Sequence, residues 1–184
     1  WLNWRGILTV VPKFPPISVP KPKKQWILPD TQARIISKMH PHDQAVFGFW
    51  MSHPLRNGEL RVLRKKHFDL EKWVVRVEDA ISEGIIRHRK NREPYVLPLD
   101  PEFDASALED KLPEAFVFLN RKGLPYTQGR LEKIWSAACK KAGAKIRLYH
   151  GTRRSKATQL RVLKGADLES IRLILGQKQL GSAQ

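Results

Sequence analysis

Apolar residues recur at helical spacing in the first part of the chain and again in the last part, with a stretch of different character between them. In the first part, the spacing predicts a helix that Asp30 caps and that continues through Met39. It also predicts a buried helix from Gln44 to Met51 and an amphipathic helix from Gly58 to Lys66. These elements predict a helical layer that begins near Trp26.

The middle stretch is rich in β-branched and aromatic residues. Three runs predict strands, namely residues 73–77, 85–88 and 95–99. The connections at residues 82–84 and 90–93 are short enough for hairpins, so the strands are expected to pair as a small antiparallel sheet.

Helical spacing returns after residue 105. A short helix is predicted from Ala105 to Leu112 and a longer one from Gln128 to Ala142 that Thr127 caps. Two more are predicted, one from Thr152 that ends near Gly165 and one from Leu168 to Leu175 that Asp167 caps. The predicted fold class is α+β, mainly α-helical with a small three-stranded antiparallel sheet.

Residues 1–25 have a different composition from the rest of the chain. Five prolines and several lysines fall in this segment. Proline fixes φ and removes a backbone donor, so we expect an extended linker here, followed by one domain over residues 26–184. Because the sequence begins at Trp1, we also expect it to be a fragment.

Positive charge is large and segregated along the chain. Lys and Arg number 34 against 18 Asp and Glu, which gives a formal net charge of +16 and a pI near 10.3. Residues 133–164 contain ten basic residues and no acid, whereas residues 100–114 contain six acids and one lysine. This segregation indicates a basic face for a polyanion, and nucleic acid is favoured over an acidic membrane surface.

Cysteine content and hydropathy indicate the expected cellular setting. Cys139 is alone, so it forms neither an intrachain disulfide nor a zinc site, and it is expected to be a buried structural thiol in a reducing compartment. No apolar run approaches the roughly 18–20 residues of a membrane span, and Trp1 does not begin a signal-peptide pattern. The expected location is therefore inside the cell.

The sharpest chemical motif is Tyr149-His150-Gly151-Thr152-Arg153-Arg154. His150 and Arg153 are three residues apart at a predicted helix start, where free backbone N–H groups favour a phosphate. Arg153 can hold two phosphate oxygens, and His150 can donate a hydrogen bond or move a proton near neutral pH. By itself, a His-x-x-Arg pattern also occurs by chance in many proteins.

Arg56 lies between a buried helix and an amphipathic one, so we expect it on a fixed backbone at a pocket edge. Glu59 could orient this arginine or cap the following helix. The alternative interpretation is a surface arginine in a loop with Glu59 as an ordinary first-turn acid.

In their order and spacing, these motifs resemble the catalytic domain of the tyrosine recombinases, which are phage-integrase-like enzymes. The resemblance covers about residues 26–184. It is carried by the motifs Arg56-Asn57-Gly58-Glu59-Leu60, Phe68-Asp69-Leu70, Val96-Leu97-Pro98-Leu99, Asn120-x-x-Gly123, Lys140-Lys141-Ala142-Gly143, His150-x-x-Arg153, Gly165-Ala166-Asp167-Leu168 and Leu175-Gly176.

The resemblance implies a phosphoryl transfer without metal or other cofactor. A tyrosine attacks a DNA phosphodiester, a 3′-phosphotyrosyl bond forms, and a 5′-hydroxyl leaves. Fixed guanidinium groups must then stabilise the transition state, and Arg56 and Arg153 match the two arginines of the family. His150 matches its histidine. Lys90 is the best match to a hairpin lysine that protonates the leaving oxygen, and His88, Arg89 and Arg92 are the alternatives.

Two features depart from the family pattern. Gln177 stands where the family usually has His or Trp; glutamine can donate a hydrogen bond to phosphate but cannot act as an acid. The nucleophile is expected about two residues after Gln184, and none of the tyrosines Tyr95, Tyr126 and Tyr149 matches its place. The chain as given is therefore expected to be inactive, because the nucleophile is either missing from it or naturally absent.

The resemblance also implies partners. Duplex DNA is expected to bind the basic face, mostly through phosphates, and no membrane is expected. Residues 1–25 would be a linker or the end of an absent N-terminal DNA-clamping domain. A homo-tetramer on DNA is expected for the intact protein and a monomer is possible for the fragment. The candidate DNA-binding residues are Arg87, Arg89, Arg92, Lys140, Lys141, Lys145, Arg154 and Lys156.

Two other functions remain as alternatives. One is a non-catalytic DNA-binding relative that keeps the site only for phosphate contact, which Gln177 mildly favours. The other is a basic RNA-binding or ribosome-associated protein, which explains the charge equally well but not the order of Arg56, Lys90, His150 and Arg153.

Overall fold

A computed structural model of the chain describes residues 25–88 and 94–177. Three helices lead, namely α1 (Pro29–Ile36), α2 (Pro41–Ser52) and α3 (Asn57–Leu60). Five strands follow, namely β1 (Phe68–Asp69), β2 (Val74–Val77), β3 (Asp79–Ser82), β4 (Ile85–His88) and β5 (Tyr95–Pro98). The remaining helices are α4 (Ser106–Glu109), α5 (Gln128–Lys141), α6 (Ser155–Lys164) and α7 (Leu168–Ile174), and a π-helical turn (His150–Arg154) precedes α6. None of the helices within the described ranges is long and apolar enough to span a membrane.

The predicted mainly helical fold with a three-stranded antiparallel sheet is confirmed, but the membership of the sheet differs from the prediction. The sheet has the order β1-β2-β5, with Val75 opposite Leu97, and β3 and β4 form a separate hairpin. Glu83 and Gly84 connect this hairpin with φ values of 52° and 78°. Two consecutive positive φ angles suit a tight hairpin, so β4 pairs locally with β3 instead of joining β2.

The first two predicted helices exist, with shifted starts. α1 begins at Pro29 with Leu28 as its N-cap, so Asp30 is a first-turn acid and not the predicted cap. Proline is favoured at the first helical position, where its missing N–H has no partner to lose. α2 likewise begins at a proline, three residues before the predicted Gln44.

The helix predicted from Gly58 to Lys66 is largely absent. Only Asn57–Leu60 is α-helical, and a 3₁₀ turn covers Lys65–His67. Between them the backbone pairs with a distant segment, because Val117 N–H donates to the Leu63 carbonyl. A strand-like contact made across the fold thus outweighs the local helical pattern.

The capping predictions in the last part of the chain agree with the structure. Thr127 accepts from the N–H of Arg130 at the start of α5, and Asp167 accepts from the N–H of Ser170 at the start of α7. The helix predicted from Thr152 begins earlier, through the π-helical turn, and ends at Gly165 with φ of 65°. A left-handed residue at this position favours glycine.

The core lies around α2 and α5 and fixes the position of the π-helical turn. Phe47 stacks on Trp135 with ring centroids 6.0 Å apart, and Trp135 is 1% exposed. A Cβ atom on Gly151 would lie 2.2 Å from the Trp135 ring, so only glycine allows this approach. Cys139 is buried in the same core, in agreement with the expected structural thiol.

A candidate phosphate-binding site

A buried carboxylate, Glu59, is the centre of the candidate site. It is 1% exposed and accepts hydrogen bonds from the Arg56 backbone N–H at 2.7 Å and from the Arg56 guanidinium at 3.0 Å. The Tyr95 hydroxyl also donates to it, at 3.1 Å. Burial alone would raise the pKa of Glu59, but the Arg56 N–H and the charges of Arg153 and Arg56 lower that pKa below its ordinary value. Glu59 is therefore ionised, and it both caps α3 and orients Arg56.

Arg56 lies at the edge of the site on a fixed backbone. It is the N-cap residue of α3, and its side chain is 49% exposed. The preceding Leu55 is fully buried, and its carbonyl accepts from the indole N–H of Trp50 at 2.8 Å. Arg56 is therefore held on a fixed backbone with about half of its side chain exposed, unlike an unconstrained loop residue.

Arg153 lies beneath Arg56 and is 3% exposed. Its guanidinium donates to the Leu175 carbonyl at 2.6 Å and to the Pro54 carbonyl, and Nη1 is 3.8 Å from Glu59 Oε2. Burial lowers the pKa of Arg153, the charge of Arg56 lowers it further, and Glu59 opposes both. The structure thus brings two arginines that are far apart in sequence onto one carboxylate.

His150 lies at the start of the π-helical turn that ends in Arg154. Its Nε2 is 3.3 Å from Arg154 Nη1, and a guanidinium can donate only to an unprotonated nitrogen. Burial lowers the pKa of His150, and the charges of Arg154 and Arg147 lower it further, so the neutral ring is favoured. With Nε2 as the acceptor the proton is on Nδ1, which is buried and has no hydrogen-bond partner within the described part of the chain.

Gln177 follows α7 and lies two residues after Leu175 in the chain. Its backbone N–H donates to the Arg172 carbonyl, and its side-chain Oε1 is buried without a partner among residues 25–88 and 94–177. The Leu175 carbonyl, two residues earlier, accepts from Arg153. The end of α7 is therefore tied to the buried arginine.

The hairpin candidates can be placed only in part. Lys90, Arg89 and Arg92 lie outside the described residues. His88 is exposed on β4, and its Nδ1 is 2.8 Å from Asp79 across the hairpin. The next strand, β5, begins at Tyr95, whose hydroxyl donates to Glu59.

The remaining candidate DNA-binding residues differ in exposure. Arg87, Lys140, Lys141 and Lys145 are exposed, whereas Arg154 is half-buried against His150. Lys156 is also half-buried; burial lowers its pKa, Lys164 lowers it further, and Asp100 opposes this. Among the DNA-binding candidates that the structure describes, the first four are therefore the accessible ones.

Sequence reasoning missed three backbone and side-chain partners of the site. No motif predicts that the carbonyls of Pro54 and Leu175 contact Arg153 or that the hydroxyl of Tyr95 contacts Glu59, and only the tertiary structure brings these groups together. Glu59 had a signal, its position three residues after Arg56. Within the described ranges, no group of three or more His, Cys, Asp or Glu side chains could hold a metal ion.

Comparison of the sequence with known families and proteins identifies relatives. A model of the phage integrase family matches residues 25–184. The tyrosine recombinase XerC of Bacillus pumilus is 38% identical over 162 residues, covering 84% of this chain and 52% of the relative. The XerC of Bacillus licheniformis is 28% identical over 156 residues, covering 77% and 47%. The chain thus spans about half the length of the curated relatives it matches.

Solved structures show the same fold. The integrase of transposon Tn1549, in complex with transposon right end DNA, has a TM-score of 0.73 at 19% identity and matches 89% of this chain and 61% of that one. The XerA recombinase has a TM-score of 0.69 at 19% identity, with coverage of 92% and 60%. At this level of identity the likeness shows the fold alone.

Proposed function

The chain belongs to the phage integrase family, and from this we propose that it is the catalytic domain of a site-specific recombinase that cleaves and rejoins duplex DNA through a phosphotyrosyl intermediate. The observation that carries the proposal is that two guanidinium groups, those of Arg56 and Arg153, pair with the same buried carboxylate, Glu59. Two positive charges held this close by the protein are suited to a phosphate that gains negative charge during reaction.

Arg56 and Arg153 would act on the same phosphate in different ways. Arg56 has a half-exposed side chain that a phosphate oxygen can reach directly. Arg153 is held in place before any ligand binds, so its charge is oriented without further loss of entropy. The attraction of both guanidinium groups for the phosphate increases as negative charge builds on the non-bridging oxygens of the transition state.

The proton transfers would fall to the other candidates. As the tyrosine oxygen attacks phosphorus, its hydroxyl proton would pass to solvent; the bond from phosphorus to the 5′-oxygen then breaks, and Lys90 would give that oxygen its proton. His150, whose lowered pKa favours the neutral ring, would donate a hydrogen bond to the phosphate in the DNA complex. Gln177 would help to position the phosphate.

We place the nucleophile outside the three tyrosines of this chain. Tyr126 is buried and donates to Asp43 at 2.6 Å, and burial together with this bond raises its pKa. Tyr95 donates to Glu59, and Tyr149 packs edge-on against His150. A tyrosine about two residues after Gln184 in a longer protein would be the nucleophile, and the 184-residue chain would then not cleave DNA by itself.

Duplex DNA is the proposed partner. The Tn1549 integrase neighbour is a complex with DNA, and this chain carries a net charge of +16 with Arg87, Lys140, Lys141 and Lys145 exposed. The intact protein would act as a homo-tetramer in the cytoplasm, and residues 1–25 would connect to a preceding DNA-clamping domain. The domain boundary at residue 26 and the DNA contacts of Arg89, Arg92, Arg154 and Lys156 also stay predictions.

A nicked suicide duplex tests the proposal. The protein, extended by its native residues after Gln184, should form a covalent DNA adduct visible on a denaturing gel, and peptide mapping should place it on a tyrosine after position 184. An adduct on Tyr149, or one formed by the 184-residue chain alone, would contradict the nucleophile assignment. No adduct from the extended protein on its own element's DNA would favour a non-catalytic relative.

Salt dependence separates DNA binding from the RNA-binding alternative. Contacts to ~6–10 phosphates should weaken duplex binding by about 10³-fold or more between about 50 and 200 mM salt, because counterions are released. A flat salt response with a preference for single-stranded RNA would support the alternative.

A further inference from the structure

Two carbonyls of the π-helical turn (His150–Arg154) are bound by buried side chains. The Ser155 hydroxyl donates to the His150 carbonyl at 2.6 Å, and the amide of Gln32 donates to the Gly151 carbonyl at 2.7 Å. Gln32 is 5% exposed and Ser155 is fully buried. The Gln32 bond joins α1 to a turn 119 residues away in sequence.

A second glutamine extends this arrangement to the backbone at Ile27. Gln159 is 7% exposed, and its amide donates to the Gln32 side-chain oxygen at 2.9 Å and to the Ile27 carbonyl at 2.8 Å. The N–H of Ile27 donates to Ser155 at 3.0 Å. Both backbone polar groups of Ile27 are therefore bound to α6, which begins directly after the turn.

The turn is held on two sides at Gly151. The Trp135 ring packs so closely against Gly151 that no side chain fits there, while Gln32 binds the carbonyl of the same residue. A π-helical turn is wider than an α-helical one and needs such support to persist. Its width sets the relative direction of His150 and Arg153, which are its first and fourth residues.

We propose that Gln32 is a positioning residue whose amide sets the geometry of the His150–Arg153 turn, and that Gln159 couples this bond to the chain at Ile27. The inference rests on the proposed function, which gives the turn its catalytic role. A primary amide suits the position because it donates to Gly151 and accepts from Gln159 at once. Neither an apolar side chain nor a carboxylate can do both.

The first test measures the turn itself and needs no activity. The ring resonances of His150 are recorded by ¹H–¹⁵N NMR in the 184-residue chain and identified by their loss in His150→Gln. They are compared in Gln32→Met, in Gln159→Met and in the control Gln44→Met. Gln44 makes a similar side-chain bond, to the Met39 carbonyl at 3.1 Å, and touches neither the turn nor Gln32 in the contacts described.

The expected displacement of the His150 resonances is largest for Gln32→Met, smaller and in the same direction for Gln159→Met, and absent for Gln44→Met. Gln159→Met keeps the bond from Gln32 to Gly151 and removes only the Gln159 bonds to Gln32 and to Ile27. It therefore reports on the coupling even if Gln32→Met is too unstable to study. Equal spectra for Gln159→Met and Gln44→Met would overturn the coupling to Ile27. Equal spectra for Gln32→Met and Gln44→Met would overturn the positioning role.

The second test uses the extended protein on a nicked duplex. Gln32→Met should lower the single-turnover cleavage rate by about 10- to 100-fold, as small misplacements of catalytic groups do. Its DNA affinity should stay within about twofold of the parent, because Gln32 is buried away from the ligand. If Gln32→Met displaces the His150 resonances but cleaves DNA at the parent rate, the proposed effect of Gln32 on catalysis is overturned. A failure of the proposed function itself would show differently, as an absence of cleavage in the parent protein while the NMR differences persist.

Discussion

Arg56 and Arg153 bind the same carboxylate, but one of these arginines is half-exposed and the other is buried. Arg56 is half-exposed, and its guanidinium bonds to Glu59 on its own short helix. Arg153 is almost fully buried and bonds to backbone carbonyls before α3 and after α7. One arginine is therefore presented to a ligand, while the other also connects distant segments of the fold. Substitutions at the two positions should separate catalysis from stability.

Replacement of the buried arginine should have the largest effect on stability. Arg153→Ala leaves Glu59 and the carbonyls of Pro54 and Leu175 without this partner in a buried environment. The free energy of unfolding should fall by about 3–5 kcal/mol, as for other broken buried ion pairs. Arg56→Ala should lower it by only about 1 kcal/mol, because the Arg56 side chain is half-exposed and Glu59 keeps the backbone N–H of residue 56, the Tyr95 hydroxyl and Arg153 as partners. Urea unfolding of both variants measures the difference, and equal losses would remove the contrast between the two arginines.

Neutralising the shared carboxylate should have an intermediate effect. Glu59→Gln keeps the shape but removes the charge that both arginines bind, and the expected loss is about 1.5–3 kcal/mol. Glu78→Gln is the matched control, because Glu78 pairs with the exposed Arg76 at 3.5 Å. The control should lose less than about 1 kcal/mol. A smaller loss for Glu59→Gln than for the control would show that Glu59 does not hold the two arginines.

A smaller change in stability should appear when the pH is varied. It should come from His53, in the segment that leads to Arg56. His53 is 2% exposed; its Nδ1 lies 2.9 Å from the Phe49 carbonyl and its Nε2 accepts from the Asp100 N–H at 3.2 Å. Burial lowers the pKa of His53 below 6.5; Asp100 raises it and Lys156 lowers it further. The unfolded chain therefore binds a proton at a higher pH than the folded chain, so stability should fall as the pH drops below 6.5.

Protonation of the unfolded chain at His53 should therefore lower the free energy of unfolding as the pH falls below 6.5, and no such loss is expected at higher pH, where the ring is neutral in both states. His53→Asn should reduce the slope of the free energy of unfolding against pH in this range, and urea unfolding at several pH values measures that slope. Glu59 acts at lower pH, because its lowered pKa gives stability that is lost only as the pH falls below 4.5. An unchanged slope in His53→Asn would show that the neutral His53 ring is not required.

Local features of the fold could be predicted from the sequence because neighbouring residues determine them. The caps Thr127 and Asp167, the left-handed Gly165 and the strand runs at residues 74–77 and 95–98 are of this kind. The separation of β4 from the central sheet was missed, because it depends on whether β4 pairs with β2 or with β3, and neighbouring residues do not determine that choice.

The candidate site likewise has residues that could be found from the sequence and contacts that could not. His150 and Arg153 could be found from their spacing, and Arg56 from its position between two helices. The burial of Arg153, its two carbonyl partners and the hydroxyl of Tyr95 could not, because each comes from a segment distant in sequence. The catalytic roles of Arg56, His150, Arg153, Lys90 and Gln177 all stay predictions.

The most direct test of the account is the single-turnover cleavage rate of Arg56→Ala in the extended protein, measured on a nicked duplex beside DNA affinity. Arg76→Ala is the control, because Arg76 is likewise an exposed arginine paired with a glutamate. The account predicts a rate loss of roughly 10²–10³-fold for Arg56→Ala, as for the loss of one transition-state donor, with little change in affinity or stability. The control should cleave at close to the parent rate. Equal cleavage by Arg56→Ala and Arg76→Ala would contradict a catalytic role for the two arginines on Glu59.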